Sequence, residues 1–257
     1  MKRTILILKT KFLTIVIFLV TSASLTQAQE IHFGVKAGLN LTDMYGILSP
    51  GTSSVSSTSI VVGYHVGAIV DIGFSDHFSL APEVLFSTAG TKENINFIIN
   101  STTGIPYLMT YTGTVSVNLG YLQIPIMLKY KMDNGLNFSV GPTIGMLLMS
   151  SYNGNETQKT VIYTNPVMTS SSASTPAGKL DSAVNKPDLG FAIGAGYQFD
   201  FGLGFGIRYI FGFSNIFKGG YSYPDYNDPY GRTITQGPYG QNETFQFSIS
   251  YMFGTSR

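Results

Sequence analysis

From Leu189 to Ser214 the chain states one pattern twice around a tight turn. In the first copy Phe191, Ile193, Ala195, Tyr197 and Phe199 alternate with Ala192, Gly194, Gly196 and Gln198. In the second, Leu203, Phe205, Ile207, Tyr209, Phe211 and Phe213 alternate with Gly204, Gly206, Arg208, Ile210 and Gly212. Successive side chains of a β-strand point to opposite faces, so a period of two predicts a hairpin; a helix would scatter the same residues around its circumference. One face is aromatic and aliphatic, the other glycine and small residues with Gln198 and Arg208 set among them. A soluble barrel needs charges where this hairpin has Phe, Tyr and Ile. Apolar outside with small or polar inside is what a barrel needs when hydrocarbon is its solvent.

The same parity recurs along the chain. Ile31, Phe33, Val35, Ala37, Leu39 and Leu41 face one way, and His32, Gly34, Lys36, Gly38, Asn40 and Thr42 the other. Further alternating stretches run through Tyr64–Ile72, Phe78–Phe86, Tyr121–Tyr130, Phe138–Leu148 and Phe245–Phe253. Pro82 weakens its stretch slightly, since it has no amide to donate. With the hairpin these make about eight strands, each near the 9–11 residues a tilted membrane-spanning strand requires. The expected fold is all-β: a transmembrane antiparallel up-and-down β-barrel. Between the strands, long breaks at 43–58, 91–112, 151–187 and 215–242 alternate with short ones. The segments INFII and YLMTY inside the second long break are able to extend its flanking strands above the membrane. Short periplasmic turns and long external loops are the habit of outer-membrane barrels, so both termini are expected in the periplasm.

Composition agrees. Charged residues are 11% of the chain, against about 25% in ordinary soluble domains, while Gly is 29, Tyr 16 and Phe 18 of 257 residues. Lys2, Arg3, Lys9 and Lys11, the apolar run Phe12 to Val20 and the small residues before Ala28 read as a signal peptide, 1–28, cut after Ala28, leaving 29–257 as the barrel domain. Four of the 15 basic residues precede that cut, so 11 remain against 14 acidic ones, a net charge of −3. Without clustered Lys and Arg, a nucleic-acid partner is not expected. Cys is 0, which removes disulfides, thiolate metal sites and a lipid-anchored cysteine.

The interior of an eight-stranded barrel is just wide enough to be filled by side chains. Lys36, Glu83 and Arg208 each lie about five residues from a short-turn end, at one height if strand rises are similar. Glu83 is therefore expected to pair with Arg208 or Lys36 across the lumen and plug it; the alternative is a water-filled lumen with solvated charges. His65, Gln123 and Gln198 are expected as polar lumen residues. His32 and His77 fall near the periplasmic mouth. With no histidine in an external break and no HxxxH or HExxH spacing, neither enzymatic activity nor a metal or other cofactor is expected. The last long break gathers Tyr221, Tyr223, Tyr226, Tyr230 and Tyr239 among prolines, a candidate contact surface, or else a rigid soluble cap.

The opening FGVKAGLN, the segments GYHVGA, PEVLFS and YLQIPIMLKY, the glycine-spaced LGFAIGAGYQF and the stretch RYIFGFSNI resemble the PorT-like outer-membrane β-barrel proteins, a branch of the OmpA-like eight-stranded architecture. The resemblance covers essentially all of 29–257. It implies an integral outer-membrane barrel, surrounded by lipid, with other envelope proteins as candidate partners through the external loops. Some members serve secretion or gliding machinery, and most have no defined activity. A narrow channel or transporter for a small solute is the competing expectation.

Overall fold

The structure, a computed structural model, describes residues 30–45, 55–101, 107–162, 168–179, 185, 187–216, 218, 221–224, 233–236 and 240–254. The expected signal peptide lies outside them, as do Tyr226, Tyr230 and Tyr239.

Among the described residues twelve strands follow in chain order: β1 (Ile31–Tyr45), β2 (Val55–Ser59), β3 (Val61–Gly73), β4 (Phe78–Ser101), β5 (Tyr107–Lys131), β6 (Leu136–Ile162), β7 (Met168–Gly178), β8 (Pro187–Gln198), β9 (Leu203–Gly212), β10 (Tyr221–Pro224), β11 (Thr233–Gln236) and β12 (Gln241–Met252). Eight of them close a ring, β1-β3-β4-β5-β6-β8-β9-β12 and back to β1, every neighbour antiparallel. Each strand pairs with the next barrel strand along the chain, so the fold is an up-and-down barrel, and closure leaves the wall without an edge. Pro82 sits where the β3–β4 register passes from Ile69↔Glu83 to Ile72↔Leu80, while on its other side it stands opposite Ile126.

Burial is inverted relative to a soluble protein. Phe33 is 61% exposed, Phe205 48% and Ile207 51%, whereas Glu83 is 1% and Gln246 0% exposed. Outward rows of Phe, Tyr, Ile, Leu and Val on every stave need an apolar surrounding, and the polar groups fill the interior. Among the described residues no helix is long and apolar enough to cross a membrane; the strands do the crossing.

Short turns at 74–77, 132–135 and 199–202 join β3 to β4, β5 to β6 and β8 to β9. In the last two, Gly135 and Gly202 hold φ of 88° and 96°, a region other L-residues rarely enter. The chain enters and leaves at this same end. Glu30 Oxygen accepts from Gly73 N, and Phe253 N donates to Phe33 O.

The opposite end departs from expectation. Much of the two breaks at 91–112 and 151–187 is strand. β4 and β5 stay paired out to Ser101↔Tyr107, β5 and β6 to Tyr107↔Ile162, and β7 adds to β6. INFII and YLMTY do extend their strands, with Phe97 opposite Tyr111. The expected loop at 43–58 likewise yields the end of β1 and the short β2, which pairs with β4. Within 215–242, β10 and β11 pair, and β12 begins at Gln241, ahead of Phe245. Here the alternation of apolar with polar residues fades because the outward face is no longer apolar, so the strands persist through pairing without their sequence signature.

Candidate functional site

The candidate site is the barrel interior, and small residues make room for it. Gly190, Ala192, Gly194 and Gly196 on β8 and Gly204, Gly206 and Gly212 on β9 face inward around Arg208. A Cβ at Gly38 would strike the Phe247 carbonyl and come within 2.7 Å of His65 Cε1, so glycine there is what lets the imidazole lie across the lumen.

Polar side chains then stack in layers from the short-turn mouth outward. At the mouth Asp71 accepts from Lys129 Nζ at 3.3 Å and Lys131 Nζ at 3.0 Å. A cavity of about 270 Å³ opens beside them, lined also by His32, Asp76, Asp133 and Asp200. Gln198 reaches this region, but its amide donates to the Gly202 carbonyl, so it fastens the β8–β9 turn. His77 lies in the first short turn, 3.5 Å from Asp133.

The next layer brings Lys36, Glu83 and Arg208 together. Arg208 Nη1 and Nη2 donate to Glu83 Oε2 and Oε1 at 3.0 and 2.6 Å, a bidentate pair, and Lys36 Nζ donates to both oxygens at 3.1 Å. Two cations share one carboxylate, leaving a formal excess of one positive charge. All three are buried, with the apolar inward side chains Ile69, Met127 and Ile210 nearby in the same interior. The adjoining cavity is about 60 Å³, room for a water or two.

Above it lies a layer that parity placed inward but whose bonds only the fold makes visible. Asn40 Nδ2 donates to Ser87 Oγ, Thr88 O and Tyr64 O, which leaves its Oδ1 to accept from His65 Nδ1 at 2.7 Å. His65 Nε2 then accepts from Ser248 Oγ at 3.0 Å. Gln246 reaches across to Gln123 Oε1 at 3.4 Å. Higher still, Asn242 Nδ2 donates to Asp188 Oδ2 at 2.7 Å and Tyr121 Oη at 3.2 Å, and Ser214 Oγ donates to Asp188 Oδ1. Met44, Leu119, Tyr121 and Ile216 close the long-strand end as an apolar cluster. Ile216 belongs to the segment after β9 and is anchored on both sides, its N donating to Gly240 O and its O accepting from Asn185 N.

Sequence reasoning missed Asn40, Ser248, Gln246, Asn242 and Ile216. The first three carried a readable signal, a hydrogen-bonding side chain at an inward position; Asn242 fell inside the last long break, and Ile216 carried none. Of the tyrosine set, Tyr221 and Tyr223 stand in β10, and the rest lie outside the described residues. Among the described residues no three His, Asp or Glu side chains stand together as a metal site.

A closed ring of eight antiparallel strands, apolar outside and cross-braced by polar groups inside, defines an outer-membrane β-barrel protein. The chain belongs to the outer membrane protein beta-barrel domain family, whose model matches residues 27–218, and its place is the bacterial outer membrane, in contact with lipid. No curated protein matches it. Among solved structures it is similar to Ail, the attachment invasion locus protein of Yersinia pestis, in complex with the heparin analogue sucrose octasulfate, at 10% identity and a TM-score of 0.36 over 87% of this chain and 99% of that one. Neisserial surface protein A aligns at 6% identity and a TM-score of 0.35, over 88% and 100%. The outer membrane channel DcaP of Acinetobacter baumannii aligns at 8% identity and a TM-score of 0.22, over 89% and 99%. These superpositions are loose, and the ring of eight rests on the strand pairing alone.

Proposed function

We infer that this is a non-conducting, non-enzymatic barrel of the PorT-like kind, whose work is done by its surfaces: an interaction or structural component of the envelope, serving other proteins such as a secretion or gliding machinery. One observation carries the reading. The lumen is crossed by the Lys36–Glu83–Arg208 layer and covered at its far end by Met44, Leu119, Tyr121 and Ile216. A filled interior leaves the loops and turns as the parts free to act. The short turns and both described chain ends lie in the periplasm and the long strands project outward, by the habit of such barrels. Tyr221 to Tyr239 remain the candidate contact surface.

The test has two arms. The purified barrel in a planar bilayer is expected to show no steady conductance; a reproducible channel would favour the solute-transport alternative. Pull-down from intact outer membranes, with residues 219–238 present and deleted, is expected to lose specific envelope proteins with the deletion. This cut spares Ile216 and Gly240, so the lid stays anchored.

A further inference from the structure

The outward face of β4, β5 and β6 changes character along its length. Near the short turns it is apolar. Beyond Thr88 it turns largely polar, with neutral hydrogen-bonding side chains in register, Asn94–Thr114–Asn155 in one row and Asn96–Thr112–Thr157 in the next, before a row of Ile98, Thr110 and Lys159. Thr114 Oγ1 donates to Asn94 Oδ1 at 3.2 Å, so the first row is linked across β4 and β5. Lys92 stands just below them, opposite Ser116.

At the boundary between the two regions the wall is hollowed. A groove of about 430 Å³ is floored by Thr88 and Gly120, walled by Tyr64 and Met149, and rimmed by Asn118 and Ser151. Two local features build it. The register shift beside Gly120 and Tyr121 leaves both Leu148 and Met149 facing outward, the mark of a bulge. A Cβ at Gly120 would meet Met149 Cε at 3.1 Å and Phe86 Cζ at 3.4 Å, so glycine keeps the floor low.

We propose that this groove and the rows above it seat a phosphorylated, saccharide-headed lipid of the outer leaflet. The face is continuous with the lipid-facing wall, so the molecules that surround it are the membrane's own. From Thr88 to Asn96 is about 26 Å of strand at about 3.3 Å per residue, or about 18 Å of height at a tilt of about 45°. A phospholipid headgroup layer adds only about 5–8 Å beyond the hydrocarbon. A saccharide reaches the rows, an acyl chain fits between Tyr64 and Met149, and Lys92 is placed for a phosphate. The proposal rests on the outward orientation given above.

The intact barrel in detergent, titrated with Kdo2-lipid A and followed by native mass spectrometry, is expected to retain it where phosphatidylethanolamine and phosphatidylglycerol dissociate. Gly120→Leu, which fills the floor of the groove, and separately Lys92→Ala with Asn118→Ala, which removes about one charged hydrogen bond, should each weaken retention about tenfold, with unchanged electrophoretic mobility of the folded form. Equal retention of all three lipids, or full retention by every variant, overturns the proposal. Orientation is read independently by a membrane-impermeant maleimide on intact cells carrying Thr112→Cys, the chain having no cysteine of its own. Labelling without lipid selectivity sinks the lipid site alone; absence of labelling sinks the orientation and the site with it.

Discussion

Arg208 and Glu83 meet across the full width of the barrel. β9 and β4 stand four apart in a ring of eight, the greatest separation the ring allows, yet the guanidinium donates twice to the carboxylate, at 3.0 and 2.6 Å. Tyr121 with Asn242 and Gln123 with Gln246 join β5 to β12 in the same diametric way. The interior thus works as a set of cross-braces at successive heights.

Removing the shared anion should be costly. Glu83→Gln leaves Arg208 and Lys36 facing each other without a carboxylate, and breaking one partner of a buried ion group costs about 3–5 kcal/mol. Equilibrium urea unfolding in micelles should show that loss. Any conductance the variant gains should be anion-selective, since only cations remain in the layer. Replacing all three residues together by Leu, Leu and Met should restore most of the stability.

Two inward glycines should respond differently to one methyl group. At Gly38 the added carbon collides with the Phe247 carbonyl and crowds His65, whereas at Gly206 its nearest neighbour is Ala195 O at 3.7 Å. Gly38→Ala should lower the unfolding midpoint and Gly206→Ala should leave it within error.

The lipid boundary should be visible in charge tolerance. Ile193, outward and midway along β8, should lose about 2–4 kcal/mol on change to Lys. Thr112→Lys, on the same outward side but high on the projecting sheet, should be nearly neutral. Refolding titrations into liposomes measure both.

His65 should hold its proton on Nδ1. Asn40 spends its amide hydrogens on Ser87, Thr88 and Tyr64, so its oxygen is the atom facing the ring. Nitrogen chemical shifts of the imidazole should show that tautomer, and Asn40→Asp or Ser248→Ala should perturb them; a proton on Nε2 would contradict the bond scheme.

Much of this was legible one strand at a time. The rows beginning at Phe33, Phe205 and Phe245 announce their lipid face, and Lys36, Glu83 and Arg208 stood at matching distances from the short-turn ends. The hairpin of β4 and β5 beyond Thr91 was mostly not legible, because residues such as Thr110, Thr112 and Thr114 give no apolar alternation. Gln198, expected among the lumen groups, lines the cavity beside the Lys36–Glu83–Arg208 layer, while the partner of its amide, the Gly202 carbonyl, shows only in the folded turn.

By itself, then, the order of residues determined which side of each stave meets hydrocarbon, since a period of two follows from local backbone geometry alone. Only the tertiary structure decided that Glu83 takes both cations, that Asn242 finds Tyr121 and that Ile216 returns to close the end. Those meetings depend on how far each strand is staggered around the closed ring, a quantity summed over all eight pairings and carried by none of them singly.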